Sequence, residues 1–275
     1  MLNLYVPLPN QSDGSFRLAQ AAPTTANQYI FEIDQTIGAK DRVWFRLFRN
    51  NTSSTSPGAI PFFASPSSGT FQSYAINETH TFTPNLINQA QFSYTRPEGV
   101  SDTTKNGKSP QELGISANGF TPYPQTPGFN LSGFSLGSGW YIDEPSYFRQ
   151  IDDNVSWTHG KHNIQGGIMI NYQKNGDLAY PATGFTFSGL YTNNSAADFL
   201  IGRPQNYSVT TTIVDNGTST IVQPFIQDNY KLTPRLTVDL GLRYGYQTPW
   251  TQKHGNVSTY KAAPNLRYIR PHLRD

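Results

Sequence analysis

The stretch that decides the fold is Leu236-Thr237-Val238-Asp239-Leu240-Gly241-Leu242-Arg243-Tyr244-Gly245-Tyr246-Gln247. Its even positions are Leu, Val, Leu, Leu, Tyr and Tyr. Its odd positions are Thr, Asp, Gly, Arg, Gly and Gln. A period of two is the signature of a strand with one apolar and one polar face, since successive side chains leave a strand on opposite sides. The run is a little longer than the roughly 9–11 residues a tilted strand needs to cross a bilayer. Its two tyrosines close the apolar stripe as an interfacial aromatic girdle would.

The same alternation recurs in both directions along the chain. Tyr29, Phe31, Ile33 and Ile37 alternate with Glu32, Asp34 and Thr36. Val43, Phe45 and Leu47 alternate with Arg42 and Arg46, although Trp44 and Phe48 break the polar face. Tyr74, Ile76 and Phe82 share a face with Glu78 and His80. Ala90, Phe92 and Tyr94 oppose Gln89, Gln91 and Ser93, and Ile151, Val155 and Trp157 oppose Asp152, Asn154 and Ser156. Ile164, Ile168, Ile170 and Tyr172 oppose Asn163, Gln165, Asn171 and Gln173. Ile226, Tyr230 and Leu232 fall in register with Asp228, whose side periodicity alone leaves open.

These strands group into four hairpins. Each closes on a very short turn: Gly38-Ala39-Lys40, Thr83-Pro84-Asn85, His159-Gly160-Lys161 or Thr233-Pro234-Arg235. Gly, Pro and Asn supply the dihedral angles a tight reversal needs. The hairpins are joined by long connections, Asn50–Gly69, Pro97–Ser146 and Asn175–Thr218, all at the opposite end of the strands. Short turns at one end and long loops at the other are the layout of an outer-membrane barrel. A soluble secreted β-sandwich of carbohydrate-binding type, with decorated loops, is the alternative. It requires the apolar faces of two sheets to pack on each other. A small eight-stranded barrel complete in itself is a third architecture.

In the last long connection Asn194 or Ser195 can cap a short helix over Ala196–Ile201, ended by Gly202 and Pro204. The loops are rich in aromatics, of which Tyr123, Trp140, Tyr141, Phe185 and Tyr191 are the candidates for stacking on a ligand. The competing role for such rings is to pack the loops on one another.

Composition agrees with a barrel. Charged residues are 14% of the 275 and aromatics 13%, against roughly 25% charged in soluble domains. A net charge of +2 gives no electrostatic footprint for nucleic acid. With no cysteine, a disulfide framework, a thiolate metal site and a cysteine nucleophile are excluded. No apolar run reaches the roughly 18 residues of a transmembrane helix, which a strand-built membrane protein does not need. The first ten residues lack the basic and apolar regions of a signal peptide.

Catalytic chemistry finds no footing. His80, His159, His162, His254 and His272 show no zinc-protease spacing, and no Gly-x-Ser-x-Gly elbow occurs. Asp152 and Asp153 point to opposite faces of one strand, so they cannot act as an acid/base pair. The chain is expected to be no enzyme and to use no cofactor or metal.

One run carries a resemblance. Phe225-Ile-Gln-Asp-Asn-Tyr-Lys-Leu-Thr-Pro-Arg-Leu-Thr-Val-Asp-Leu-Gly-Leu-Arg-Tyr244 resembles the barrel hairpin of TonB-dependent outer-membrane receptors. Thr158-His-Gly-Lys-His-Asn-Ile-Gln-Gly-Gly167 is similar to that family's Gly-Lys-His hairpin. Ser195-Ala-Ala-Asp-Phe-Leu-Ile-Gly202 is similar to its loop helix, and Leu4–Asn10 to a segment that precedes the barrel. The resemblance is to the large Oar-like branch, whose members often carry an N-terminal carboxypeptidase-regulatory-like domain. The resemblance implies a barrel of about 22 antiparallel strands around a plug, of which this chain would supply about eight to twelve.

The expectation is therefore an all-β, antiparallel meander of long hairpins, with residues 1–275 forming part of a transmembrane β-barrel without plug or signal peptide. The cell outer membrane of a Gram-negative bacterium is the implied location. Outer-membrane lipid, an unidentified large, scarce nutrient and, through a plug-borne box, TonB are the implied partners. Stripes such as Leu236/Val238/Leu240/Leu242 would face lipid, so Leu240→Arg is expected to cost roughly 2–4 kcal/mol. An open part-barrel has two unpaired edges, so the isolated chain is expected to be poorly soluble.

Overall fold

The computed structural model describes residues 7–58, 64–102, 108–115, 126–136, 141–180, 183–209 and 213–252. Of the candidate ligand-stacking residues, Tyr123 and Trp140 lie outside them.

The architecture is one large antiparallel meander. Its strands are β1 (Thr24–Ile37), β2 (Asp41–Ser56), β3 (Ser65–Thr83), β4 (Leu86–Asp102), β7 (Tyr141–Pro145), β8 (Tyr147–His159), β9 (His162–Tyr180), β12 (Ile213–Thr233), β13 (Leu236–Arg243), β14 (Tyr246–Gln247) and β15 (Thr251–Gln252). Both β7 and β8 lie between β4 and β9, and β13, β14 and β15 all pair with β12. The eleven strands thus run as eight long ribbons in chain order. β1 is one edge and the β13–β15 ribbon the other.

The four short turns stand where glycine and proline place them. Gly38 and Gly160 take positive φ (66° and 60°), a region open to glycine at no steric cost. The two Thr-Pro turns use a different device. Each is preceded by a register shift, between Thr81 and Thr83 and between Lys231 and Thr233. In each the threonine hydroxyl accepts the N–H two residues on, from Asn85 and from Arg235, both at 3.3 Å.

The strands run further toward the long connections than hydrophobic alternation indicates. β2 continues to Ser56 and β3 begins at Ser65, so much of Asn50–Gly69 is ladder rather than loop. β4 reaches Asp102, β9 reaches Tyr180 and β12 starts at Ile213. Runs such as Asn-Thr-Ser-Ser-Thr-Ser carry no apolar stripe, and backbone hydrogen bonds to a neighbouring strand extend the ladder without one.

The long connections also build a second, small sheet that no local period announces. Its strands are β5 (Gly128–Leu131), β6 (Phe134–Leu136), β10 (Gly184–Phe187) and β11 (Asn206–Ser208), in the order β11-β10-β5-β6. The β5–β10 pair is parallel. The helix α1 (Ser195–Leu200) has Asn194 as its N-cap, whose side chain accepts from the N–H groups of Ala196 and Ala197. Phe129, Leu136, Phe185 and Phe187 form the core of this cap, with Phe199 of α1 packed against it. It is the one cluster of buried apolar residues among the described residues.

The large sheet has its polarity reversed. Residues directly opposite in an antiparallel ladder share a face, so the register assigns every side chain. Phe31, Leu47, Tyr74, Tyr94, Arg149 and Tyr172 form one row across six ribbons. Ile33, Phe45, Ile76, Phe92, Ile151, Ile170 and Val222 form the next. This apolar face is open: Ile76 is 47% exposed, Ile151 50% and Leu242 73%. The other face is lined by Asn, Gln, Ser and Thr, yet it holds the sheet's buried residues, with Asn77 at 1%, Ser219 at 2% and Asn171 at 9% exposed. A flat sheet would expose both faces alike. The polar side is the inside of a curve, and among the described residues no second layer covers the apolar side.

Candidate functional site

The large sheet offers two surfaces, on which the register places each side chain, and the small sheet with α1 offers a third.

The polar inner wall is the first. Near the short turns Glu32, Asp34, Arg42, Trp44 and Arg46 line a hollow with Thr79 and Gln89. Arg42 donates to Asp34 through Nε at 2.9 Å, and the Arg46 guanidinium lies 5.7 Å from the Trp44 ring. Trp44 and Phe48, which break the alternation of β2, therefore belong to the wall. Phe48 packs edge-on to Phe71 at 5.8 Å. Further along, Asn171 donates to Gln150 at 3.0 Å and Gln227 to Gln165 at 2.8 Å. The Nδ2 of Asn77 and the Oδ1 of Asn171 are buried without a hydrogen-bond partner.

The loop-end cap is the second surface, and it separates the candidate ligand-stacking residues. Phe185 is 7% exposed and stacks on Phe129 at 5.6 Å, so its ring packs the cap. Tyr141 begins β7 and lies against Tyr180 at 5.5 Å. Burial, then the charges of Asp143 and Asp102, raise its hydroxyl pKa above the usual range. Tyr191 is 49% exposed, with the Arg203 guanidinium 4.8 Å from its ring. The same connection exposes Leu190, Leu200, Ile201 and Tyr207, which sequence reasoning passed over. Their signal was the apolar Leu200-Ile201 pair at the end of a helix too short to bury it.

Asp198 holds this segment in shape. It is fully buried and accepts from Thr192 Oγ1 at 2.7 Å, Thr192 N–H at 2.9 Å and Tyr191 N–H at 3.3 Å. Burial opposes its ionisation, but the Thr192 hydroxyl and the backbone donors outweigh burial and hold the carboxyl below its usual range.

The apolar outer face is the third surface, and its turn end is less apolar than its sequence stripes imply. Asp228 stands opposite Leu240 and Ile164, which settles its side as the apolar one. It receives His162 Nδ1 at 2.6 Å. Asp41 likewise meets His80, and Asn88 donates to Asp153 at 2.5 Å. Asp153 faces out and Asp152 faces in, the first opposite Ala90 and the second opposite Gln91, so the two carboxylates cannot serve one reaction. Asp41, Glu78 and His80 bring their ligand atoms within 4.8 Å of one another. They are the group among the described residues that could hold a cation, and Asp41 and His80 already satisfy each other.

Tyrosines bound the apolar band at its loop end. Tyr74, Tyr94, Tyr147 and Tyr172 form a chain of rings at 6.2, 6.2 and 6.1 Å across four ribbons. At the turn end stand Phe82, Trp157, His159, His162 and Tyr230, with His162 stacked on Tyr230 at 4.4 Å. From Tyr172 to His162 the strand advances about 33 Å, which is about 25 Å of height at a tilt of about 40°. That is the height of the apolar band between the aromatic girdles of a membrane barrel.

Comparison with known proteins agrees with this geometry. Residues 1–270 match the family described as outer membrane beta barrel domain. A search of curated proteins finds no match. Among solved structures the chain is similar to the outer membrane transporter YddB from Escherichia coli, with a TM-score of 0.58 at 7% identity over 88% of this chain and 30% of that one. It is also similar to the copper transporter OprC, with a TM-score of 0.53 at 7% identity over 96% of this chain and 34% of that one. The chain spans about a third of the length of either transporter, and at this identity the likeness shows the fold alone.

Proposed function

Since the chain belongs to the outer membrane beta barrel domain family, and so sits in the outer membrane, we propose that it is one wall of a TonB-dependent receptor of the Oar-like branch. The receptor takes up a large, scarce nutrient. The exposed aromatic surface of the cap, with Tyr191 and Arg203 at its centre, captures the ligand outside the cell. The polar inner wall packs against a plug, whose displacement, driven through TonB, opens the path. No covalent step is performed, so the work is binding and gating rather than catalysis.

The observation that carries this reading is the reversed polarity of the sheet. Its apolar face is exposed over a band of membrane height, while the buried polar residues of the sheet, Asn77, Asn171 and Ser219, all stand on the opposite face. A soluble sandwich would bury the apolar stripes under a second sheet, and the small sheet instead packs on its own core of phenylalanines. The inner wall supports the plug, because the buried amides of Asn77 and Asn171 have hydrogen-bonding capacity unused by the wall itself.

The test is conductance of the full-length protein in a planar bilayer. A plugged receptor gives no steady ohmic current until mild urea loosens the plug, and then opens reversibly. A steady open pore without urea would contradict gating and make the protein a porin.

A further inference from the structure

A hollow of about 380 Å³ opens on the inner wall beyond the girdle, bordered by Asn50, Thr52, Phe71, Pro97, Glu144 and Ser146. The register sets these residues on the polar side of the sheet: Asn50 stands opposite Phe71, Phe71 opposite Pro97, and Glu144 opposite Gly99. Two glycines keep the hollow open. A Cβ on Gly69 would come within 2.8 Å of Thr52 Oγ1, and one on Gly99 would lie 3.5 Å from a carboxylate oxygen of Glu144. Phe71 is 38% exposed, so an aromatic ring stands bare in a wall rich in Asn, Gln, Ser and Thr. The polar atoms here are short of a donor. Asn50 Oδ1 is buried without a hydrogen-bond partner, and Glu144 is exposed and forms no ion pair among the described residues. Glu98 also borders the hollow, but the register turns its side chain to the outer face, where it is bound to Arg96 at 2.9 Å. Among the described residues no Lys, Arg or His lines the hollow.

We propose that this hollow selects a ligand carrying an ammonium or guanidinium group. Glu144 is the counter-charge, Asn50 Oδ1 accepts one of the cation's N–H groups, and the Phe71 ring takes the apolar part next to it. A carboxylate and an unused carbonyl oxygen reward a charged N–H donor and repel an anion, and a bare aromatic face adds attraction for a cation. The occupant is the ligand rather than the plug because of where the hollow lies. Phe71 and Gly69 stand three and five residues beyond Tyr74 of the girdle row, about 10–17 Å further along the strand toward the loops. The buried amides of Asn77 and Asn171 lie on the membrane side of that row. The proposal deepens the uptake reading and rests on it for the source of the cation.

The experiment titrates the full-length protein, in phosphatidylcholine nanodiscs at pH 7, with two probes of one shape, 4-(trifluoromethyl)benzylammonium and 4-(trifluoromethyl)benzyl alcohol. Binding is read by fluorine NMR against empty nanodiscs. The ammonium probe binds the unaltered protein about tenfold more tightly than the alcohol, the size of one charge-assisted hydrogen bond. E144Q brings the ammonium probe down to the level of the alcohol, and E144D restores the preference. F71L weakens both probes alike. Equal affinity for the two probes, a preference that survives E144Q, or indifference to F71L overturns the proposal. Binding that appears only after urea has loosened the plug also overturns it, because the plug then fills the hollow. The bilayer conductance test is separate: a steady open pore that still prefers the ammonium probe ends the uptake reading and leaves the cation site standing.

Discussion

Asp198 and Gly167 show how much single positions constrain this chain. The Asp198 carboxyl is held below its usual range, so its contribution to the cap is fully present above the ordinary carboxylate pKa of about 4. It is lost as pH falls through the depressed folded value. Asp198→Asn is expected to mimic that loss, speeding hydrogen exchange at the amides of Tyr191 and Thr192 at neutral pH. Unchanged protection there would show that the loop does not depend on the carboxylate. Gly167 faces the inner wall, where a Cβ would collide with the side chain of Asn154, the Asp153 carbonyl and, at 2.9 Å, the Phe225 ring. Gly166 faces outward, and the nearest atom to a Cβ there is 3.6 Å away. Gly167→Ala should therefore cost about 1–3 kcal/mol in urea unfolding of the barrel, and Gly166→Ala almost nothing. Equal costs would contradict the assignment of faces.

At the scale of the strands the outer face is a band with local exceptions, and those exceptions set the cost of a charge. Ile170 lies between Ile151 and Val222, one row inside the loop-end girdle, so Ile170→Arg is expected to cost about 1–3 kcal/mol of barrel stability in lipid, between the values at the midplane and at the interface. Leu240→Arg should cost less, because the new guanidinium would stand opposite Asp228. A Leu240→Arg loss as large as that of Ile170→Arg would place Asp228 out of reach. This is also where the sequence was most legible. Each of the eight ribbons, the short turns and the α1 helix, with its cap narrowed to Asn194 or Ser195, could be read from alternation and turn chemistry, because those signals are local; the structure takes Asn194. The side taken by Asp228 could not be read, since a lone carboxylate in an apolar register is decided by its cross-strand partner His162. Strand ends such as Asn51–Ser56 were hidden because ladder hydrogen bonds leave no hydrophobic mark. The small sheet was hidden because β5 and β10 pair in parallel across more than fifty intervening residues.

For the whole molecule the governing fact is that the large sheet wears its apolar residues outside. Its edges, β1 and the β13–β15 ribbon, each pair on one side only, and every residue of β1 is exposed. Unpaired strand edges seek further strands, and a barrel supplies them by closing. The most direct test uses the absence of cysteine. Single cysteines placed one at a time along 163–171 of β9 in the full-length barrel, in outer-membrane lipid, can each carry a spin label. Its relaxation by oxygen reports lipid, and its relaxation by a water-soluble nickel chelate reports the aqueous interior. Strict alternation is expected: even positions such as 164, 168 and 170 are accessible to oxygen, and odd positions such as 165, 169 and 171 to nickel or to neither reagent. Nickel access at the even positions, or no alternation at all, would contradict it.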